Sequence, residues 1–235
     1  MDYSNIYRGY RMYRIIFITL MILSATMLNA LPDIRIEVET GMAIPGYNDV
    51  RIPNVGRNTM FSLKDDLDIS PVLHTRLSLH YYLTSHHQLS LMASPLTLKP
   101  EGRLKQDVVF QEVTFLENTP TKAIYRFDSY RFQYRYNFSK EFFGIRAVGA
   151  SVKLRDAEIS LDNGIRKESK TNTGFVPLLS LNAGHRISEK VDLILEAEGL
   201  ASPYGRAEDV FLGATYQVKD KLIVKSGYRL LEGGS

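Results

Sequence analysis

Hydrophobic and polar side chains alternate one by one along several long segments of this chain. Within residues 130–137, aromatic side chains hold every even position, and Arg131, Gln133, Arg135 and Asn137 hold the odd ones. A β-strand directs successive side chains to opposite faces, so the pattern predicts a strand with one aromatic face and one polar face. Such a strand suits either a soluble β-sandwich, with the aromatic face in its core, or a membrane barrel, with that face against lipid.

The same period of two recurs through the rest of the chain. It predicts further strands at residues 34–44, 72–83, 89–98, 175–186, 191–201, 207–216 and 222–230, and the aromatic strand pairs with a partner that extends to residue 161. No segment after residue 30 has the 3.6-residue period of an amphipathic helix. The pattern therefore predicts an all-β fold.

Short and long connections between these strands alternate. The short polar turns are predicted at residues 84–88, 138–141, 187–190 and 218–221, and the longer connections at 45–70, 99–122, 162–173 and 202–206. Membrane barrels show this asymmetry between their two ends, and their strands need about 9–11 residues to cross the bilayer. We therefore predict an antiparallel up-and-down transmembrane β-barrel of the outer-membrane type, with a soluble sandwich or lipocalin-like barrel as the alternative.

Residues 1–30 have a different character from the rest. Arg8, Arg11 and Arg14 precede an apolar run at residues 15–28, and a small residue, Ala30, follows it. A basic segment, an apolar segment of about 13 residues and a small residue are the marks of a secretory signal. We predict a signal-peptide helix at 1–30, cleaved on export to the bacterial outer membrane, and a barrel domain at 31–235. An uncleaved N-terminal anchor and a start at Met12 are the alternatives.

Composition and charge narrow the function classes. Hydrophobic residues make up 44% of the chain and charged residues 23%, which excludes intrinsic disorder. The chain has no cysteine, which excludes disulfides, thiol nucleophiles and zinc–thiolate sites. Loss of residues 1–30 removes three arginines and one aspartate, which lowers the net charge from +3 to +1. The remaining sequence has no basic patch of the kind that binds nucleic acid. The expected partners are outer-membrane lipid and the barrel-assembly and export machinery.

The strand count is odd. Nine strands are predicted after residue 33, whereas bacterial single-chain barrels have even numbers, because an open edge leaves backbone groups unpaired in lipid. We expect about ten strands in the complete form, with the last one missing here through C-terminal truncation. A count that is wrong by one is the alternative.

The polar faces of the predicted strands carry charges of both signs. A charge network in the lumen is predicted from Arg35, Glu37, Glu39, Arg76, His80, Arg131, Arg135, Arg146, Glu196, Glu198, Lys225 and Arg229. Charges inside a small barrel must be paired or hydrated. Its basic residues are expected to pair with Glu37, Glu39, Glu196, Glu198 and Asp209 and so to plug the lumen, and a narrow pore for small solutes is the alternative.

Several short motifs occur in a recognisable order. They are Tyr47–Pro53, Phe61–Leu63, Tyr125–Phe127 before Ser129–Arg131, Lys153–Ala157 and Tyr228–Gly234. With these motifs the chain resembles a family of poorly characterised bacterial outer-membrane β-barrel proteins. The resemblance implies the fold and the location, and family members usually continue into one more strand after the last motif.

Candidate sites outside the lumen are few. An external loop with Tyr47, Asn48, Asp49 and Arg51 is expected to cap the lumen or to contact a surface partner. The sequence contains no nucleophile-elbow, zinc-protease or phosphate-binding motif. We therefore expect no enzyme activity, no cofactor and no metal site, with a rim-located lipid-modifying enzyme as the remaining alternative.

Overall fold

The computed structural model describes residues 15–28, 34–53, 58–202 and 205–234. Among these residues no helix is long and apolar enough to cross a membrane. The strands are β1 Ile15–Leu28, β2 Ile34–Val50, β3 Phe61–Ser62, β4 Val72–Tyr82, β5 His87–Ser94, β6 Thr97–Leu98, β7 Glu101–Arg103, β8 Val108–Phe110, β9 Val113–Phe115, β10 Pro120–Phe142, β11 Ile145–Asp162, β12 Lys167–Arg186, β13 Val191–Ser202, β14 Gly205–Lys219 and β15 Leu222–Gly234.

Ten long strands of the described residues pair in one antiparallel ring. Its order is β1, β2, β4, β5, β10, β11, β12, β13, β14 and β15, and β1 pairs with β2 on one side and with β15 on the other. Consecutive strands along the chain are neighbours, which is the up-and-down topology. The predicted antiparallel all-β barrel is confirmed.

The tenth position in the ring is occupied by β1. Residues 15–28, which the sequence assigns to the apolar part of a signal-peptide helix, form a strand here. The physical reason is that β2 and β15 would otherwise present unpaired N–H and C=O groups, and the apolar segment supplies their hydrogen-bond partners. Cleavage of residues 1–30 on export stays a prediction.

The apolar face of the barrel points outward. On β10, Tyr130, Phe132, Tyr134 and Tyr136 are exposed, whereas Arg131 between them is buried. Outward residues on β4, such as Leu73, Leu77, Leu79 and Tyr81, are exposed in the same way. A soluble sandwich would bury these side chains in a dry core. Their outward direction therefore excludes the sandwich alternative and supports the membrane barrel.

The positions predicted for two of the connections between strands were wrong. The turn expected at 138–141 lies instead at Phe143–Gly144, because β10 continues through Phe142 and both turn residues have positive φ. The charged loop expected at 162–173 is a tight turn at 163–166 between β11 and β12. Both strands project beyond the band of outward apolar side chains, which we call the apolar belt. Strands in water carry polar side chains on both faces, and this removes the alternation on which the prediction depended.

The long connections at the other end of the barrel fold into one structure, which we call the cap. The cap comprises the described residues 51–53, 58–71 and 95–119. Its core buries Phe61, Leu63, Leu67, Leu104, Val108, Phe110 and Phe115 together with inward residues of the barrel strands. Backbone hydrogen bonds from Thr59 to Val109 and from Gln111 to Ile52 join its two segments. The cap therefore covers part of the interior at this end, and the described connections at the opposite end are short turns.

A charge on the outward face is expected to destabilise the protein. Phe132 and Gln133 are adjacent on β10, with Phe132 half-exposed and Gln133 buried in the interior. Phe132→Arg should lower the free energy of unfolding by about 2–4 kcal/mol, because it places a cation in the lipid-facing belt. Urea titration of the protein folded in lipid vesicles measures this change. The matched outward variant Phe132→Leu should cost far less, and equal effects of the two variants would contradict the membrane orientation.

Candidate functional site: a charged layer between two cavities

Asp209 on β14 lies at the centre of a buried ion-pair network inside the barrel. Its carboxylate accepts hydrogen bonds from Arg76 on β4 at 2.8 Å and from Arg229 on β15 at 2.6 Å, and it forms an ion pair with Arg131 on β10 at 2.7 Å. All four side chains are less than 10% exposed. Strands from opposite walls are thus joined across the interior, in a low-dielectric setting where each charge needs its partners.

Further carboxylates complete this layer. Arg229 donates from Nε to Glu39 Oε1 and from Nη2 to Glu39 Oε2, both at 2.8 Å, which is a bidentate arrangement. Lys225 lies 3.2 Å from Glu39 and 3.1 Å from Glu196, and it also contacts Glu37. The layer therefore contains seven residues of the predicted lumen network, which are Glu37, Glu39, Arg76, Arg131, Glu196, Lys225 and Arg229.

Glu198 and His80 lie at the edge of the layer. Arg131 Nη1 lies 2.5 Å from Glu198 Oε2, and the Gln133 amide also donates to Glu198. His80 lies with Nε2 3.7 Å from Glu37, and its Nδ1 is 2.8 Å from Ser90 Oγ on the next strand. Both predicted residues are thus inside the barrel.

Arg35 and Arg135 are inside the barrel but outside the ion-pair layer. They line a polar cavity of about 200 Å³ between the layer and the short turns. Arg35 stacks over the Tyr82 ring at 5.7 Å. Within the described part of the chain, neither guanidinium has a carboxylate within 4 Å. Their placement matches the prediction, but their pairing does not, because the acidic residues lie deeper in the barrel.

Arg146 does not belong to the network. It contacts Glu141 at 2.5 Å and Asp192 at 3.1 Å, near the short-turn rim. The register between β11 and β12 shifts between Ile145 and Ala147. A Cβ at Gly184 would lie 2.7 Å from Arg146 Nη1, and Gly184 shares its face of β12 with Asn182, which lines the polar cavity. Arg146 therefore lies on the interior side near the rim, but its ion pairs are with residues outside the predicted network.

Asp209 on β14 was expected as an acidic partner of the lumen arginines, whereas Phe211 was not assigned to the interior from the sequence. The two residues share one face of the strand by alternation. Phe211 is fully buried, with Lys225 Nζ 4.6 Å and Arg229 Cζ 5.0 Å from its ring centre. Gly213 makes room for it, since a Cβ there would lie 2.6 Å from the Phe211 ring.

The predicted external loop is in fact the end of β2 and the start of the cap. Asn48 is fully buried, and Asp49 pairs in register with Ser62 of β3. The Tyr47 hydroxyl donates to Glu232 at 3.0 Å, and Arg51 Nε donates to the Asn58 carbonyl at 3.1 Å. The four residues do lie at the cap end, but as an extension of a strand. The alternation continues past the apolar belt because the cap covers one face.

A second cavity, of about 640 Å³, lies between the cap and the wall formed by β11, β12, β13 and β14. Asn48, Asp49 and Arg51 form part of its cap side. Its opposite side includes Lys153, which is 6% exposed and lies with Nζ 5.0 Å from the Phe127 ring centre. We call this space the cap-end cavity. Sequence reasoning missed Lys153 because it placed that stretch only within a motif.

An outward ionic cluster marks the boundary of the apolar belt at the cap end. Arg126 lies 2.6 Å from Asp156, 3.2 Å from Asp128 and 3.4 Å from Glu158. Donation from Arg126 holds the pKa of the Asp156 carboxyl below its ordinary value. Toward the cap, Asp128 and Arg126 are the next outward residues of β10 beyond Tyr130. The apolar belt on this strand therefore ends at Tyr130.

No protein-family model and no curated protein matches this chain. Among solved structures, the attachment invasion locus protein Ail of Yersinia pestis matches with 8% identity over 95% of this chain and 98% of that one, at a TM-score of 0.38. The translocator domain of autotransporter NalP from Neisseria meningitidis matches with 11% identity over 97% and 90%, at 0.43. The outer membrane protease OmpT from Escherichia coli matches with 10% identity over 94% and 95%, at 0.39. These scores lie below 0.5, and the fold assignment rests on the strand pairings and side-chain directions described above.

Proposed function

We propose that this protein is an integral outer-membrane β-barrel whose lumen is held closed by its charge network, and that it acts at the surface through its cap. Outer-membrane lipid and the barrel-assembly and export machinery are its expected partners. The cap end is then external, because the long connections of such barrels face outward and the short turns face the periplasm.

The observation that carries this proposal is the three-arginine contact to Asp209. The contacts join β4, β10 and β15 to β14 through distances of 2.6–2.8 Å. A hydrated ion that crossed the layer would have to displace charge-assisted hydrogen bonds that are stronger than neutral ones. The cap core supports closure from the other end, since it packs against inward residues of the barrel such as Tyr125 and Leu161.

A narrow pore for small solutes is the second candidate. It is supported by the two cavities, of about 200 and 640 Å³, that lie on either side of the charged layer. A pore would require the side chains of the layer to rearrange so that the two cavities connect. In this case the layer would act as a selectivity barrier with groups of both signs.

A lipid-modifying enzyme is the third candidate. The polar cavity is lined by a serine, a histidine and a carboxylate that contact one another in that order. His80 Nδ1 lies 2.8 Å from Ser90 Oγ, and His80 Nε2 lies 3.7 Å from Glu37 Oε2. The His80 nitrogen that faces Ser90 also contacts the Gln88 amide at 3.0 Å, and this competes with its use as a base. If the protein were such an enzyme, a deletion strain would have an altered lipid A or phospholipid composition.

Planar-bilayer recording separates these candidates. We expect the purified full chain, inserted at densities verified by protease protection, to give no stepwise conductance in 1 M KCl. The reason is that the buried layer leaves no continuous aqueous path. Reproducible unitary steps from the wild-type protein would contradict the closed lumen and favour the pore.

A further inference from the structure

We propose that the cap-end cavity binds a small amphipathic anion, with an apolar body and one carboxylate that is bound by Lys153. The inference deepens the proposed surface role, on which it rests, by giving the cap end a class of ligand. Four features of the described residues support it: an unpaired buried cation, an unpaired buried amide, an apolar lining and a gap in the barrel wall.

Lys153 is a buried cation without an ionic partner. Its side chain lines the cavity, and no carboxylate of the described residues lies within 4 Å of its Nζ. Its Nζ lies 5.0 Å from the centre of the Phe127 ring, which is a cation–π contact and supplies no counter-charge. Burial of an uncompensated ammonium group is unfavourable. The carboxylate of a ligand would provide the missing charge, and this contrasts with Lys225, which has three carboxylates around it.

Asn48 is a second buried polar group beside the cavity, and it has no partner in the described structure. It is 0% exposed, and neither its Oδ1 nor its Nδ2 makes a hydrogen bond to any described residue. Its backbone is fixed, because Leu63 donates to the Asn48 carbonyl at 2.8 Å. Buried amides are nearly always hydrogen-bonded. A small movement of this side chain toward the cavity would let Nδ2 donate to the polar part of a ligand.

The charges that line the cavity favour an anion. The cations are Arg51, Lys153, Arg155, Lys170 and Arg206, and the carboxylates are Asp49 and Glu158. Arg206 is partly neutralised by Glu208 and Glu232, and Glu158 faces Arg126. Even with these pairs set aside, the basic groups exceed the acidic ones.

The uncharged part of the lining is mostly apolar, and this defines the body of the ligand. It includes Ile52, Pro53, Phe127, Ile159, Phe175 and Leu200. A volume of about 640 Å³ lies within the range of roughly 300–1,000 Å³ that holds drug-sized molecules. A fully polar solute would leave this surface unfilled, so the cavity fits an amphipathic molecule.

A gap in the barrel wall gives such a molecule a route. The ladder between β12 and β13 ends at Leu179 and Gly199, although both strands continue beyond it. Pro177 lies two residues further on and has no N–H to donate, which disfavours continued pairing. The cavity lining includes Pro177 on one side of the gap and Leu200 on the other. Phe175 next to the gap is 76% exposed, so the opening lies at the edge of the apolar belt.

The test uses 4-phenylbutyrate as the probe and its uncharged amide, 4-phenylbutanamide, as the matched comparator. Equilibrium dialysis of the full-length protein in detergent micelles, with empty micelles subtracted, should show saturable binding of the acid. Lys153→Met should weaken this binding about 10-fold or more, because a charge-assisted contact is lost. Lys153→Arg should retain most of it, and Lys122→Met, on the exposed outer face of β10, should leave it unchanged.

Asn48→Leu provides a second arm with opposite effects on stability and binding. It removes an amide that has no hydrogen-bond partner among the described residues, so the heat resistance of the folded band on a gel should be kept or raised. Binding of 4-phenylbutyrate should weaken. Equal affinities of the wild type and Lys153→Met, equal affinities for the acid and the amide, or no saturable binding would each overturn the proposal. Any of these results can occur with an electrically silent barrel, so failure here is distinct from failure of the closed-lumen proposal.

Discussion

Asp209→Ala is expected to lower the free energy of unfolding by about 3–5 kcal/mol, the effect of breaking a buried ion pair from one side. The substitution leaves Arg76, Arg131 and Arg229 close together, and only Arg131 and Arg229 keep a short contact to another carboxylate. Arg76 is left with Glu39 at 3.7 Å as its nearest acid. Repulsion among the buried guanidinium groups should therefore separate β4 from β14 and β15.

Urea titration in lipid vesicles, with the heat-modifiable band as the readout of folding, measures this loss. Asp220→Ala is the matched control, because Asp220 is exposed in the short turn between β14 and β15. The control should change stability by less than about 0.5 kcal/mol. An Asp209→Ala protein as stable as this control would show that the ion pairs do not hold the barrel together.

Phe110→Ala is expected to open the cap while the barrel stays folded. Phe110 is fully buried and packs edge-on against Phe61, with 6.3 Å between ring centres. Truncation of a buried phenylalanine costs about 3–5 kcal/mol through lost burial and the cavity that remains. The cap is built from short strands and loops, so we expect the loss to appear there as local unfolding.

Limited proteolysis of intact cells or vesicles locates this effect. Cleavage within residues 95–119 should accelerate in Phe110→Ala, whereas the heat-modifiable band of the barrel should persist. Leu116→Ala is the control from the same segment, since Leu116 is 58% exposed. Simultaneous loss of the cap and the barrel would show that the two form one cooperative unit.

The faces of the strands could be predicted from the sequence because a strand has a fixed period. Tyr130 and Phe132 face outward and Arg131 faces inward, as their alternation indicates. The prediction failed where the period was interrupted. Past residue 162 the alternation disappears because both faces of β12 meet water.

The pairing of particular charges could not be predicted. The sequence indicates that Glu39, Arg76 and Arg229 face inward, but it does not give their heights along the barrel. Those heights depend on the stagger between neighbouring strands. Asp209 meets three arginines because that stagger brings four strands to one level, and the same stagger leaves Lys153 without a partner in the described structure.

The sequence by itself determined that the chain forms long antiparallel strands with an oily outer face and a charged inner face. Local alternation suffices for this, because each residue's direction depends only on its neighbours along the strand. Only the tertiary structure decided that residues 15–28 complete the ring, that two distant loops share one core, and that a cavity lies beneath them. These features depend on contacts between segments far apart in the chain, and the local pattern of side chains carries no information about such contacts.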